Sequence, residues 1–227
     1  MKNALLMLVS LGVFGLVGTG CLQSRESLTA EIQAERLGRG VNLGNALEAP
    51  KEGEWGMVIE ADFFPKIREA GFDTVRVPIR WSAHAMEVPP YNVDEDFFAR
   101  IDGVIAQSLD QGLNVVINMH HYDALFEAPD DHDDRFVAIW EQIATRYASQ
   151  PSSLYFEFLN EPHGNLDAGR WNRLFARTLE TVRAIDPYHT VIVDTANWGN
   201  LSGLRFLMLP EGADNIIATF HYYDPFL

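Results

Sequence analysis

Leu154-Tyr155-Phe156-Glu157-Phe158-Leu159-Asn160-Glu161-Pro162 is an apolar run that stops abruptly at two polar side chains and a proline. Apolar residues at both parities are expected of a strand covered on both faces. Pro162 lacks an N–H and ends further pairing, so Asn160 and Glu161 are delivered to the carboxyl end of the strand. A carboxylic acid partly walled by apolar and aromatic groups can stay protonated and donate that proton. The bland alternative for Glu161 is a helix cap or an ion pair with Arg170 or Arg173. Glu157 serves as an internal control: it sits mid-strand among apolar neighbours and reads as a structural residue paired with a basic group.

Working outward, similar short runs centre near Val41, Val75, Val116, Ile192 and Ile217. Helical periodicity separates them: Phe97, Phe98, Ile101, Val104, Ile105 and Leu109 line one face, and Phe136, Ile139, Trp140, Ile143 and Tyr147 another, with Asp131 or Asp133 as the expected cap. Trp171, Leu174, Phe175, Leu179, Val182 and Ile185 line a third, closed by Asp186-Pro187. Strand and helix alternating in this way imply parallel pairing through right-handed crossovers. An open doubly wound sheet would gather its site at one switch point and, for a nucleotide, carry a Gly-rich turn after the first strand; none follows Val41. Instead Asn45, Arg76, His120, His121, Asn160, Glu161, Trp198, His221 and Tyr223 fall at or just beyond the carboxyl ends of all six strands. That distribution belongs to a (β/α)8 TIM barrel. A complete barrel takes about 250 residues and eight strands, so about six of the eight βα units are expected here, with the remainder beyond Leu227.

The 227 residues, 47% of them hydrophobic, suffice for one sizeable core. A formal net charge of -15 repels phosphate backbones, which argues against nucleic-acid binding and is compatible with a neutral polysaccharide. Residues 1–20 read as a signal peptide: Lys2, an apolar run over residues 4–17, then Gly18, Thr19 and Gly20. Cys21, the single cysteine, can form no internal disulfide. Its place matches the lipidated cysteine of bacterial lipoproteins, although Gly18 stands where such sites usually carry Leu. The expected organisation is a leader (1–20), a polar tether or fraying first helix (21–37) and a catalytic barrel (38–227) in a secreted or cell-surface monomer.

Other chemistries fit less well. His120-His121 and Asp131-His132-Asp133-Asp134 supply metal-ligand types. Adjacent strand residues point to opposite faces and rarely share an ion, and the acidic cluster suits the positive end of a helix. No metal or other cofactor is expected. The Gly-x-Ser-x-Gly elbow of serine hydrolases is absent from the sequence.

Four motifs in strand order resemble glycoside hydrolase family 5, and most of all its bacterial endo-β-1,4-glucanases that also accept mannans: Gly38-Arg39-Gly40-Val41-Asn42-Leu43-Gly44-Asn45, Val75-Arg76-Val77-Pro78-Ile79-Arg80-Trp81, Asn118-Met119-His120-His121-Tyr122 and His221-Tyr222-Tyr223, around Asn160-Glu161-Pro162. The resemblance implies retaining cleavage of internal β-1,4 bonds in glucan or mannan, with Glu161 as acid/base and Asn160 on the sugar 2-hydroxyl. It makes Arg76 the arginine that keeps the nucleophilic carboxylate ionised, and His120, His221 and Tyr223 a polar shell around the cleavage point. Asn45, Glu48 and His121 would hold sugars farther out, while Trp55 and Trp198 suit either stacking or packing. The nucleophile of that family ends strand seven, which this chain does not reach; Asp224 matches nothing in the role. A non-catalytic carbohydrate-binding barrel is the alternative reading.

Overall fold

The computed structural model describes residues 29–223; the leader over residues 1–20, Cys21 and Asp224 lie outside them. Six strands, β1 (Gly40–Asn42), β2 (Thr74–Val77), β3 (Asn114–Asn118), β4 (Leu154–Glu157), β5 (Thr190–Val193) and β6 (Ile216–Ala218), form one parallel sheet in sequential order. Around it run α1 (Ala30–Leu37), α2 (Phe63–Glu69), α3 (Glu95–Asp110), α4 (Asp123–Glu127), α5 (Pro129–Tyr147) and α6 (Ala168–Ile185). These are six βα units of a (β/α)8 barrel.

The pairing register explains why the strands are apolar throughout. Ile117, Phe156, Val191 and Ile216 stand opposite one another across four strands and belong to the cluster packed under the helices. The alternate positions, Val116, Tyr155, Ile192 and Ile217, pack together on the other face, inside the barrel, with Leu37. One step farther along each strand this inner face turns polar, with Arg76, Asn118, Glu157 and Asp194 at the carboxyl ends.

Three buried tryptophans fix the height at which the strands end. The indole N–H of Trp81 donates to the Asn118 carbonyl (2.9 Å), that of Trp140 to Phe158 (3.0 Å) and that of Trp171 to Asp194 (2.8 Å). Each carbonyl sits where β3, β4 or β5 stops pairing, and a buried carbonyl without a donor is costly.

Four local expectations change. α5 starts at Pro129, with neither Asp131 nor Asp133 capping it, because proline at the first turn needs no N–H partner and presets the helical φ. The β5–β6 crossover carries a 3₁₀ helix, Leu201–Phe206, in place of an α-helix. Glu157 closes β4 and does not sit in its middle, the pairing having ended before Asn160. Residues 30–37, read as tether or fraying helix, form a capped helix that seals the amino-terminal end of the barrel: Tyr155 donates its hydroxyl to Gln33 Oε1 (2.8 Å), and Leu37 joins the inner cluster.

Replacing Trp140 by Phe keeps most of the apolar volume but strands the Phe158 carbonyl. In the whole protein this substitution should lower unfolding free energy by about 1–3 kcal/mol, read from denaturant titration with the m-value unchanged.

Candidate active site

Everything at the barrel mouth is built on one buried ion pair. Arg76 on β2 donates from Nε to Glu157 Oε2 at 2.6 Å and from Nη2 to Glu157 Oε1, while the Glu157 side chain is 2% exposed. The same guanidinium reaches Asn160 Oδ1 (2.8 Å) and Asn42 Oδ1 (3.2 Å). Burial opposes the charge on Arg76, but Glu157 outweighs it and holds the guanidinium protonated above its ordinary range.

Asn118 extends the network from β3. Its amide nitrogen donates to Glu157 Oε1 and to His120 Nδ1, both at 3.2 Å. His120 therefore accepts at Nδ1 and carries its proton on Nε2. Burial, with Arg76 nearby, pushes the His120 pKa down to about 2, so the ring stays neutral.

Glu161 follows Asn160 in a left-handed backbone conformation (φ 48°), which glutamate rarely adopts and which persists only where neighbours enforce it. Two neighbours do. Its N–H donates to Asp194 Oδ2 (2.8 Å), and its carbonyl accepts from His163 Nδ1 (2.6 Å). The side chain, 23% exposed, places Oε1 2.5 Å from His221 Nδ1. Behind the ring, His221 Nε2 lies 3.6 Å from Asp194 Oδ2, at ion-pair distance but too far for a hydrogen bond. The hydrogen bond to Glu161 raises the His221 pKa against the effect of burial. Burial pushes the Asp194 carboxyl up to about 6.

All six residues marked for chemistry in the sequence (Arg76, His120, Asn160, Glu161, His221 and Tyr223) line one cavity of about 620 Å³. Glu48 is in its wall too, with its carboxylate accepting from the Asn45 and Ala46 amides, so it shapes the turn after β1 in which Asn45 takes a left-handed φ of 63°. An adjoining hollow of about 770 Å³ is lined by Trp198, Glu161, His221 and Tyr223. Trp198 is exposed, and its ring lies flat on His163 with centroids 3.4 Å apart. Trp55 meets His121 edge-on at 5.9 Å, on the other flank.

Two sequence expectations fail locally. His120 and His121 do not diverge: both lie past the end of β3, where strand alternation no longer applies, and their rings are 4.7 Å apart. Glu161 pairs with neither Arg170 nor Arg173; it faces His221, while Arg170 pairs with Asp130 and Asp167. Asp194, Asn118 and His163 were not anticipated as members of the site. Asp194 had a usable signal, since it stands two residues after Ile192 and so shares its inward face. Asn118 had the same signal relative to Val116, whereas nothing local marks His163.

A carboxyl group beside an imidazole, in a polar-walled cleft with aromatic rings on both flanks, is suited to proton transfer on a ring-shaped polar ligand. Comparison with known proteins agrees. Residues 38–226 match the model of the cellulase family, glycosyl hydrolase family 5. Endoglucanase H of Acetivibrio thermocellus is 38% identical over 191 residues, which cover 84% of this chain and 21% of that protein. The crystal structure of endoglucanase Cel5A from the hyperthermophilic Thermotoga maritima superposes with a TM-score of 0.87 at 52% identity, covering 88% of this chain and 64% of that one. The same Cel5A in complex with mannotriose gives 0.86 at 52% identity, with the same coverage. The chain thus spans about a fifth of that curated relative and under two thirds of the solved enzyme.

Two outcomes follow from this geometry. Arg76→Met leaves the Glu157 carboxylate buried without its counter-charge and should cost about 3–5 kcal/mol of stability, or force Glu157 to take up a proton, measured by chemical denaturation at several pH values. For His120, the folded ring stays neutral where the unfolded chain binds a proton. Stability should therefore fall as pH drops from about 6.5 towards about 2, by up to about 1.4 kcal/mol per unit. His120→Gln should flatten that slope relative to the parent in a series of acid-range melts.

Proposed function

The chain belongs to the cellulase family, glycosyl hydrolase family 5, and from this premise we propose that the whole protein is a secreted endo-β-1,4-glucanase acting with retention of configuration. The observation that carries the reading is the placement of Glu161: a carboxyl group fixed on a left-handed turn, 2.5 Å from His221 Nδ1, at the mouth of the barrel.

In the first step the Glu161 carboxyl gives its proton to the glycosidic oxygen as that bond breaks. A second carboxylate, about 5–5.5 Å away, attacks the anomeric carbon and forms a covalent glycosyl-enzyme. In the second step Glu161, now ionised, takes a proton from water as the water displaces the enzyme carboxylate. We assign that second carboxylate to a strand of the whole protein that continues the sheet past β6. Supporting this are the six strands of a fold whose complete barrel has eight, and the 64% coverage of the solved relative.

Asn160, held by Arg76, offers its amide nitrogen to the sugar 2-hydroxyl, and His120 offers Nε2–H from a neutral ring. Trp198, which lines the hollow beside Glu161, and Trp55, edge-on to His121, are the rings on which sugars would stack. Mannan and glucomannan are included as substrates, because the Cel5A of Thermotoga maritima has been crystallised with both mannotriose and cellobiose. Cys21 is assigned as an anchor to the cell surface through lipidation.

Glu161→Gln in the whole protein should lower kcat on carboxymethyl-cellulose and glucomannan by a factor of about 10² or more. Proton NMR of the parent's first-formed product should show the β-anomer. Equal turnover by parent and variant would remove Glu161 from the reaction, and sugar binding without turnover by the parent would make the protein a carbohydrate-binding barrel.

A further inference from the structure

Asp194 is fully buried at the end of β5 and faces the acid/base from behind. Its two carboxylate oxygens have separate tasks. Oδ1 accepts the Thr195 amide at 2.7 Å; Oδ2 accepts the Glu161 amide at 2.8 Å and looks at His221 Nε2 across 3.6 Å. Room for this carboxylate is preserved at Gly199, where a β-carbon would come within 2.8 Å of Oδ2 and where φ is +63°. The backbone carbonyl of Asp194 is held in turn by Trp171. The result is a line of three titratable groups, Glu161, His221 and Asp194, in which the imidazole stands between two carboxyl groups.

We propose that Asp194 is a positioning residue for Glu161: it clamps the backbone of that residue in its left-handed turn and, through His221, supplies the second negative charge that sets the pH range in which Glu161 keeps its proton. This rests on the acid/base reading given above.

The charge balance gives the sign. With both carboxyls ionised and His221 protonated, the line carries a net charge of one negative unit. Removing the charge of Asp194 makes it neutral, so the line binds its next proton less tightly. The other charged groups facing Asp194 are Glu157 and Arg76, which are paired with each other and remain so in the variant. Burial raises the pKa of Asp194 to about 6, so its carboxylate is charged above that pH.

The test uses the whole protein in three forms, the parent, Asp194→Asn and Glu161→Gln, with kcat/KM measured against pH on cellohexaose and on 2,4-dinitrophenyl β-cellobioside. The first substrate needs a proton on its leaving oxygen, and the second does not. Asp194→Asn should move the alkaline limb on cellohexaose to lower pH by about half a unit or more and lower kcat about tenfold near neutral pH, with KM within about twofold. Cleavage of the activated aryl glycoside should stay within about twofold of the parent. An unmoved limb, whatever happens to kcat, overturns the proposal and leaves Asp194 a structural residue. If Asp194→Asn does not fold, carbon-detected NMR of the parent decides. The Asp194 carboxyl signal should respond through the pH range of the alkaline limb as Glu161 beside it changes charge, and a signal that does not move there overturns the proposal. Glu161→Gln separates the two levels. Should it match the parent on cellohexaose, the acid/base reading fails and takes the Asp194 role with it; should it be inactive while Asp194→Asn leaves the limb unmoved, only the Asp194 role fails.

Discussion

The barrel mouth depends on the pairing of Arg76 with Glu157. Two charges on facing strands, one of them 2% exposed, would be costly to desolvate if either stood alone. They are tolerated because every direction is satisfied: Asn118 donates to the carboxylate, while Asn42 and Asn160 accept from the guanidinium. The pair ties β2 to β4, and the contact with Asn160 carries the constraint past the last ladder bond of β4. Glu161 is the next residue. Its position therefore comes from the Asn160 amide, which still donates to the Met119 carbonyl at 3.0 Å, together with the polar network beneath it and the Asp194 carboxylate.

A second constraint acts from the helical side. The indoles of Trp81, Trp140 and Trp171 each hold a carbonyl where β3, β4 or β5 runs out. Packing of the helices is thereby coupled to the height of the rim at the carboxyl ends of the strands. The Asp194 carbonyl bound by Trp171 belongs to the residue whose carboxylate holds the Glu161 amide, so two bonds connect the α6 interface to the backbone of Glu161. Rigid support of this kind is what proton transfer over a short, directed distance requires.

Much of this was legible in the sequence, for a physical reason. Strands buried on both faces must be apolar, so the return of polarity at Asn118 and Glu157 closes β3 and β4, and His120-His121 and Asn160-Glu161 follow just beyond those ends. The barrel and the six residues around its cavity followed from that rule together with the family motifs. What stayed hidden depends on distance along the chain. The partner of Glu157 is 81 residues away, and that of Glu161 is 60 residues away. Arg170 lay nearer to Glu161 in sequence but pairs with Asp167, the N-cap of its own helix, and with Asp130, which is 40 residues away. The divergence expected of His120 and His121 failed because β3 ends at Asn118, before either histidine. Asp194 was readable from its parity with Ile192, but a single acid after an apolar strand is too common a feature to single out.

The small helix Ala30–Leu37 has a practical bearing. The family-model match begins at residue 38, and a recombinant fragment cut there would lose the lid on the floor of the barrel. Val116, Tyr155 and Ile192, which meet Leu37 from above, would then face water at the end opposite Glu161, and the Tyr155 hydroxyl would lose Gln33. The boundary that keeps Leu37 and Gln33 on the floor of the barrel lies at least eight residues before the start of that match.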